Sequence, residues 1–369
     1  MKIISISPIR PLRGGIAHSN EIMSENLLKK NEVENVSFKR LFPKILYPGK
    51  FQTTSEKNNG TLDSINPLNW IAEKNKIKNK KADAVIFQWW TTFLFPCYYF
   101  LATEIKSKKI ALCQNVFPHS EGALKVIVNP IHEFFSKLFF SKMDRLVAMS
   151  NSDKKILEKI FPNKEIGIYF EPMYDLPELK ENKITREQAK KELKLKGNTL
   201  LFFGFVREYK GLKYLIDAMP EIVKKTNTEL LIVGEFWEPR AKYEKMINEL
   251  EITKNIRIID NYVPNEEIAK YFLGADLLVL PYTSISESGV IRMAFNFNIP
   301  ILSTNVGGNP DHIENNLNGF LVEPENSKEI ADKTIEFFSK NLYKKFSDGM
   351  KTKRKELEWS DKKEKELLG

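Results

Sequence analysis

The stretch TLLFFGFVREYKGLKYLIDA, residues 199–218, decides the fold class. It opens with an apolar, β-favouring run, which predicts a buried strand ending at Gly204. Apolar residues recur at helical spacing after Gly211, and a short loop with Arg207 and Lys210 joins the two elements. A strand that leads through a short loop into a helix is the unit of a parallel sheet covered by helices. The stretch therefore predicts an α/β fold.

The same alternation of strand and helix continues on both sides of this stretch. The predicted strands after it are 229–234, 256–260, 277–281 and 300–304. The predicted strands before it are 2–7, 84–88, 110–114 and 145–150. Asn265 is predicted to be the N-cap of a helix over 265–272. The chain thus reads as two α/β halves that share one design.

The length of the chain predicts two domains. Its 369 residues are too many for one compact core. A polar, proline-containing stretch between residues 169 and 197 separates the two halves. We place the boundary at the start of this stretch, which predicts domains over 1–170 and 171–349.

Composition indicates a soluble globular protein without a metal site. Hydrophobic residues make up 42% and charged residues 28%, which excludes disorder, collagen and a coiled coil. Cys97 and Cys113 are too few for a disulfide framework or a four-ligand zinc site, and they read as reduced thiols. The opening MKIISISPIR lacks the apolar core of a secretory signal, so we expect a cytoplasmic protein. The uncharged run 85–102 contains Pro96 and reads as a buried strand, a loop and a buried helix start.

The excess of positive charge is confined to the first half. Residues 1–170 contain 26 Lys and Arg against 15 Asp and Glu, whereas residues 171–369 contain 31 against 33. A basic half suits an anionic membrane surface, a phosphate-bearing substrate or nucleic acid. No recognised nucleic-acid motif accompanies the lysines, so an anionic membrane is the favoured partner. Lysines that only keep the protein soluble are the alternative.

Arg207 and Lys210 carry the clearest chemical signal. Both follow a predicted strand at its carboxyl end, where open α/β sheets bind their ligands. An Arg fork and a Lys point charge together could hold a diphosphate and stabilise it as a leaving group. The chain lacks G-x-G-x-x-G after its first strand, G-x-x-x-x-G-K-[ST], G-x-S-x-G and H-E-x-x-H. Two ordinary surface cations are the alternative interpretation.

Three further segments are weaker candidates. Glu287, Ser288, Gly289 and Val290 open a predicted helix, where backbone N–H groups could bind a phosphate or sugar, although a capped helix without ligand explains them equally well. The Gly14-Gly15 turn could present N–H groups in the same way. His119 lies just beyond a strand end, and a solvent-facing loop histidine is the alternative there.

The order of these features resembles that of the family-4 retaining glycosyltransferases of the GT-B fold, in glycosyltransferase group 1. The resemblance rests on three segments: GGIAHSN after the first strand, FGFVREYKGLKYLIDA, and ADLLVLPY…SGV…PILSTNVGGNPD…NGFLVEP. It covers nearly the whole chain. It implies two Rossmann-like domains whose parallel sheets face each other across a cleft. The first domain would bind the acceptor and be joined by a C-terminal helix at about 350–369, and the second would bind the donor.

The resemblance also implies a reaction and roles for residues. The reaction is transfer of a hexosyl-type sugar from a nucleotide diphospho-sugar to a glycan or lipid-diphosphate-linked acceptor, with retention and with no cofactor or metal. Arg207 and Lys210 match the cations on the donor diphosphate, and His119 matches a loop His that faces the reacting sugar. The matched donor-binding positions are Gly14, Gly15, Tyr262, Val263, Ser288, Gly289 and Val290, with Glu287 in the same loop.

One departure from the family pattern concerns two glutamates eight positions apart. Counting back from Pro300 without a gap puts Ile285 and Met293 at those places, and Glu287 is the only acid in the loop. This variant resembles a subgroup found in bacterial surface-polysaccharide gene clusters. Two other functions stay open: a catalytically inactive nucleotide-sugar-binding homologue, and a nucleotide-sugar epimerase of the same fold.

Overall fold

The computed structural model describes residues 1–43, 52–54, 57–116, 125–173 and 184–369. The chain forms two compact units. The first unit contains Met1–Pro172 and Trp359–Gly369, and the second contains Met173–Glu358. The chain therefore leaves the first unit once and returns to it at Trp359.

Strands and helices alternate along most of the chain. The strands are β1 (Lys2–Ile6), β2 (Glu32–Val36), β3 (Phe38–Arg40), β4 (Leu62–Asp63), β5 (Ala84–Trp89), β6 (Lys108–Cys113), β7 (Arg145–Ala148), β8 (Glu165–Ile168), β9 (Asn198–Phe203), β10 (Thr228–Val233), β11 (Ile256–Ile259), β12 (Leu277–Leu280), β13 (Ile301–Thr304) and β14 (Gly319–Val322). The helices are α1 (Gly15–Leu28), α2 (Pro67–Asn79), α3 (Phe95–Ala102), α4 (Lys125–Ser141), α5 (Asn151–Ile160), α6 (Arg186–Glu192), α7 (Leu212–Lys225), α8 (Arg240–Glu249), α9 (Asn265–Gly274), α10 (Gly289–Phe297), α11 (Ser327–Ser339), α12 (Tyr343–Arg354) and α13 (Asp361–Leu368).

The first unit is a six-stranded parallel sheet in the order β2-β1-β5-β6-β7-β8. Every residue of β5 is buried, as its continuous apolar run predicts for a central parallel strand. One face of the sheet packs against α2, α3, α4 and α5, through side chains such as Ile77, Tyr98 and Phe139. The other face packs against α1 and α13. The uncharged run 85–102 is thus the buried strand and the helix start that the sequence predicted.

Helix α13 completes the first unit. Leu367 and Leu368 are buried in the core beneath α1, and Trp359 packs edge-on against Tyr169 with ring centroids 6.2 Å apart. Arg145 Nη2 donates to the carbonyl oxygen of Glu366 over 2.8 Å. Residues far apart in sequence therefore share one core.

The second unit is a six-stranded parallel sheet in the order β11-β10-β9-β12-β13-β14. Strands β9 and β12 are neighbours, and the chain winds outward from them in opposite directions. Loops that follow these two strands meet at the carboxyl edge, at the switch point where such sheets bind ligands. The prediction of an α/β protein with two parallel Rossmann-like sheets is confirmed.

Some local predictions were wrong. Asn265 is not the N-cap of α9: the helix already includes it, and Pro264 occupies the cap position without a side-chain cap. The sequence NGFLV at 318–322 suits a turn before a hairpin-like loop, but the segment contains β14, which pairs in parallel with β13. Apolar spacing predicts a helix over 18–30, whereas α1 begins three residues earlier, at Gly15.

Gly211 provides a test of the switch-point backbone. Its φ is +66°, and a β-carbon there would lie 1.9 Å from the carbonyl oxygen of Pro281. We expect Gly211→Ala to lower the free energy of unfolding by about 2–4 kcal/mol, because both strain and a backbone clash oppose it. Gly15→Ala is the matched control, since a β-carbon there has nothing within 4 Å and the residue is helical. Urea unfolding followed by circular dichroism measures both, and equal stability of the two variants would contradict the analysis.

Candidate functional site

The loop after β9 places two cations at the switch point. Gly204 ends the strand with a φ of +104°, and a β-carbon there would lie 2.9 Å from Lys210 Nζ. Any residue other than glycine at position 204 would therefore force the Lys210 side chain to shift. Arg207 is extended, and residues Glu208–Lys210 form one turn of 3-10 helix before Gly211 leads into α7.

Lys210 is a buried cation. Its exposed fraction is 8%, and Nζ lies 5.5 Å from the centre of the Tyr282 ring. Burial, followed by the nearby Arg207 charge, lowers the pKa of Lys210 to about 8. Among the described residues, no carboxylate oxygen lies within 4.0 Å of Nζ. Lys210 is therefore a buried cation without a carboxylate partner in the part of the chain that the structure describes.

Arg207 lies beside a stack of half-buried aromatic rings. Its guanidinium carbon is 5.4 Å from the Trp237 ring centre and 5.6 Å from that of Tyr209. Phe205 stacks on Trp237 with centroids 4.4 Å apart, and Tyr262 stacks on Phe205 at 6.5 Å. The loops after β9, β10 and β11 therefore meet at Arg207, and Tyr262 is among the residues brought there.

The start of α10 lies next to Lys210. Ser288 is the N-cap of α10 and is buried, and its Oγ lies 3.5 Å from the hydroxyl of Tyr282. Val290 Cγ2 lies 3.7 Å from the position that a β-carbon on Gly204 would take. The structure therefore brings Lys210, Ser288, Gly289 and Val290 together. A helix N-terminus carries partial positive charge, which favours an anion at this place.

Glu287 belongs to a buried charge cluster. Its Oε1 lies 3.0 Å from Arg292 Nη2 and 3.0 Å from His312 Nε2, and the exposed fractions of all three side chains are between 0% and 5%. Burial raises the pKa of the Glu287 carboxyl, but His312 and Arg292 outweigh it, so its pKa lies below the ordinary value. The cluster ties the start of α10 to the segment after β13. The predicted contact of Glu287 with a donor stays a prediction.

On the first unit, Gly14 and Gly15 form the start of α1. Gly14 is the N-cap with a φ of +123°, and a β-carbon at either glycine would meet nothing within 4 Å. Space for a ligand beside the backbone is therefore present. His119 lies outside the described residues, and its predicted role stays a prediction.

Sequence reasoning missed several residues around these loops. Trp237, Arg292 and His312 were not singled out, although a Trp directly after a predicted strand in GEFWEP is a readable signal.

Sequence reasoning also missed a hydrogen-bonded series of polar side chains in the first unit. Gln114 Nε2 donates to Gln88 Oε1 over 2.8 Å and to Ser19 Oγ over 3.1 Å.

The described part of the chain contains no cluster of three or more His, Cys, Asp or Glu that could hold a metal ion. The predicted independence from metals stays a prediction.

Cys97 and Cys113 are buried and free, and burial raises the pKa of both thiols. No helix within the described ranges is both long and apolar enough to cross a membrane.

Comparison with known proteins supports the resemblance to a family. Residues 183–355 match the family model described as glycosyl transferases group 1. This segment contains Arg207, Lys210, Tyr262 and the start of α10. The match confirms that this part of the chain is similar to the group 1 glycosyltransferases.

Individual relatives agree with this assignment. An uncharacterized glycosyltransferase of Methanocaldococcus jannaschii is 22% identical over 370 residues, which cover 97% of this chain and 95% of the relative. Another from the same organism is 31% identical over 134 residues, which cover 36% of this chain and 33% of the relative. For three of the curated relatives, the chain spans only 33% to 55% of their length.

The sucrose-phosphate synthase of Thermosynechococcus elongatus has a similar fold. It superposes with a TM-score of 0.76 at 16% identity, covering 100% of this chain and 96% of the synthase. The fold is therefore the GT-B fold.

The buried cluster around Glu287 predicts a large effect on stability. Glu287→Gln removes the charge that offsets buried Arg292, so we expect the free energy of unfolding to fall by about 3–5 kcal/mol. Glu249→Gln is the control, because its ion pair with Lys245 is exposed and should contribute at most about 1 kcal/mol. Urea unfolding at neutral pH measures both variants, and a Glu287→Gln loss no larger than that of the control would refute the cluster's role.

Proposed function

We propose that this protein transfers a hexosyl-type sugar from a nucleotide diphospho-sugar to a glycan or a lipid-diphosphate-linked acceptor, with retention of anomeric configuration. The observation that carries the proposal is Lys210: a buried cation at the switch point, beside Arg207 and the start of α10. A diphosphate would supply the negative charge that Lys210 lacks within the described structure. The match of residues 183–355 to the group 1 glycosyltransferases supports the same reaction class.

The proposed mechanism uses cations rather than a protein base. Arg207 and Lys210 stabilise the negative charge that develops on the diphosphate as its bond to the sugar breaks. The acceptor oxygen attacks from the face that the diphosphate leaves, and a phosphate oxygen takes the acceptor proton. The new glycosidic bond therefore forms with retention. Ser288, Gly289 and Val290 would position the donor, and Gly14, Gly15 and His119 would act from the first unit.

We further propose that the base of the donor binds at Tyr262 and Val263, beside the stack of Phe205 and Trp237. Aromatic faces bind a planar base by stacking. The reaction would need no metal or cofactor, since the two cations supply the positive charge. The proposed setting is the synthesis of surface polysaccharide or glycoconjugate, in the cytoplasm at the inner face of the cell membrane.

Removing either cation tests the diphosphate site. We expect Arg207→Ala and Lys210→Ala to weaken the binding of UDP or GDP, whichever binds the wild type, by about 10- to 150-fold, because each removes a charge-assisted contact. Lys224→Ala, an exposed lysine in the last turn of α7, is the control. Isothermal titration calorimetry measures the affinities. Folded variants with full affinity would refute the assignment.

The pKa of Lys210 predicts a pH dependence. Below about pH 8 the side chain is protonated and attracts a diphosphate, and above it the charge is lost. We expect nucleoside diphosphate affinity to fall by up to about tenfold between about pH 7 and 9. Lys210→Arg should bind with a flat profile over this range, because a guanidinium stays charged. A flat profile in the wild type would contradict the prediction.

Product analysis separates the three candidate functions. A transferase incubated with its nucleotide sugar releases nucleoside diphosphate, because the sugar is transferred to an acceptor or slowly to water. An epimerase converts the sugar while the nucleotide sugar stays intact, and an inactive homologue raises the melting temperature with ligand but releases nothing. We expect release of nucleoside diphosphate, lost in Lys210→Ala, as measured by anion-exchange chromatography.

A further inference from the structure

Within the described ranges, large exposed apolar side chains are found in the first unit only. Among the described residues, all eight large apolar side chains that are exposed belong to it. Four of them form two helical pairs, each three residues apart: Leu68 and Ile71 on α2, and Ile131 and Phe134 on α4. Their exposed fractions are 77%, 46%, 50% and 61%. A pair with this spacing lies on one side of its helix.

Helix α3 connects the two pairs into one surface. The Trp70 ring of α2 lies 6.1 Å from the Phe100 ring of α3, and the Phe95 ring of α3 lies 4.6 Å from the Phe135 ring of α4. Tyr99 and Phe100 of α3 are half-buried. The three helices cover the same face of the sheet. We name the outer side of α2, α3 and α4 the apolar helical surface.

Three exposed lysines lie at the C-terminal ends of the helices that form this surface, and we name them the rim lysines. Lys81, Lys106 and Lys142 follow the ends of α2, α3 and α4, and all three are exposed. None of the three forms an ion pair with another described residue. Other lysines nearby, such as Lys76 and Lys137, pair with glutamates. The excess of positive charge over residues 1–170 therefore includes three lysines without an ion-pair partner among the described residues, at one end of an apolar surface.

We propose that the apolar helical surface docks on an anionic lipid bilayer, with Leu68, Ile71, Ile131 and Phe134 entering the interfacial region and the rim lysines contacting lipid phosphates. Charge selects this occupant. A second copy of the chain would bring like charges together, whereas an anionic bilayer complements them. Apolar contact and lysine attraction together give reversible attachment without a spanning helix. The donor site lies on the other unit, so failure of this proposal would leave the transferase proposal standing.

Vesicle co-sedimentation tests the proposal on the full chain. The probes are phosphatidylcholine vesicles with and without about one-third phosphatidylglycerol, each at low and high ionic strength. We expect the wild type to prefer the anionic vesicles. The Leu68→Gln, Phe134→Gln double variant should bind at least about tenfold more weakly at both ionic strengths, since the apolar contribution is insensitive to salt.

Two further variants separate the contributions. Leu28→Gln is the matched apolar control, because Leu28 is 52% exposed but belongs to α1, on the opposite face of the sheet. It should bind like the wild type. Lys106→Gln with Lys142→Gln should weaken binding at low ionic strength only.

The proposal is overturned if the wild type shows no preference for anionic vesicles, or if the double variant binds like Leu28→Gln. It is also overturned if light scattering shows a wild-type dimer that the double variant abolishes, since the surface would then bind a second copy. An unchanged melting-temperature rise with nucleoside diphosphate in every variant would confirm that they are folded and that the donor site is separate.

Discussion

Burial of the Lys210 ammonium group is the constraint around which the loops at the carboxyl edge of the second sheet are arranged. Removing a charge from water costs several kcal/mol even after the protein relaxes. The lowered pKa of Lys210 indicates that the groups around the ammonium offset only part of this cost. The Tyr282 ring beneath the ammonium returns only a fraction of the lost hydration. The surrounding loops must therefore be held by other contacts, and those contacts account for much of the local architecture.

Backbone and buried side-chain contacts hold these loops. The Thr283 amide donates to the Tyr209 carbonyl oxygen over 2.8 Å, which joins the loop after β12 to the loop after β9. The Gly308 amide donates to the Ser286 carbonyl oxygen over 2.9 Å, which joins the loop after β13. The cluster of Glu287, Arg292 and His312 reinforces the same connection. An edge fixed in this way can present charge to a ligand without reorganising, which is the arrangement that electrostatic catalysis requires.

Sequence reasoning predicted the elements whose patterns are strong and local. Strand β9, its loop and α7 were predicted because an apolar run, a glycine and a helical period follow one another without interruption. Strand β2 was not predicted because its sequence, EVENV, contains three polar residues, as suits a strand at the edge of the sheet. Strand β14 was not predicted because the Asn-Gly pair at its start is equally typical of a turn.

The candidate site was predictable in part for a related reason. Arg207, Lys210 and Ser288 follow strand ends, so the topology of a parallel sheet brings them to one edge. The partners of Glu287 were not predictable, because Arg292 and His312 lie five and twenty-five positions away and only packing unites them. The solvent exposure of Leu68 and Phe134 could not be predicted from the sequence either, because an apolar residue in an amphipathic helix is ordinarily assigned to the core.

The return of the chain at Trp359 affects the order of folding during synthesis. Leu367 and Leu368 fill the core beneath α1, so the first unit to emerge from the ribosome lacks part of its interior until residues 359–369 are made. The second unit consists of the continuous segment Met173–Glu358, so its core needs no residues that are translated later. The half that is translated second can thus reach its final packing first, and nascent chains would keep the face of the sheet under α13 open to chaperones until translation has passed residue 369.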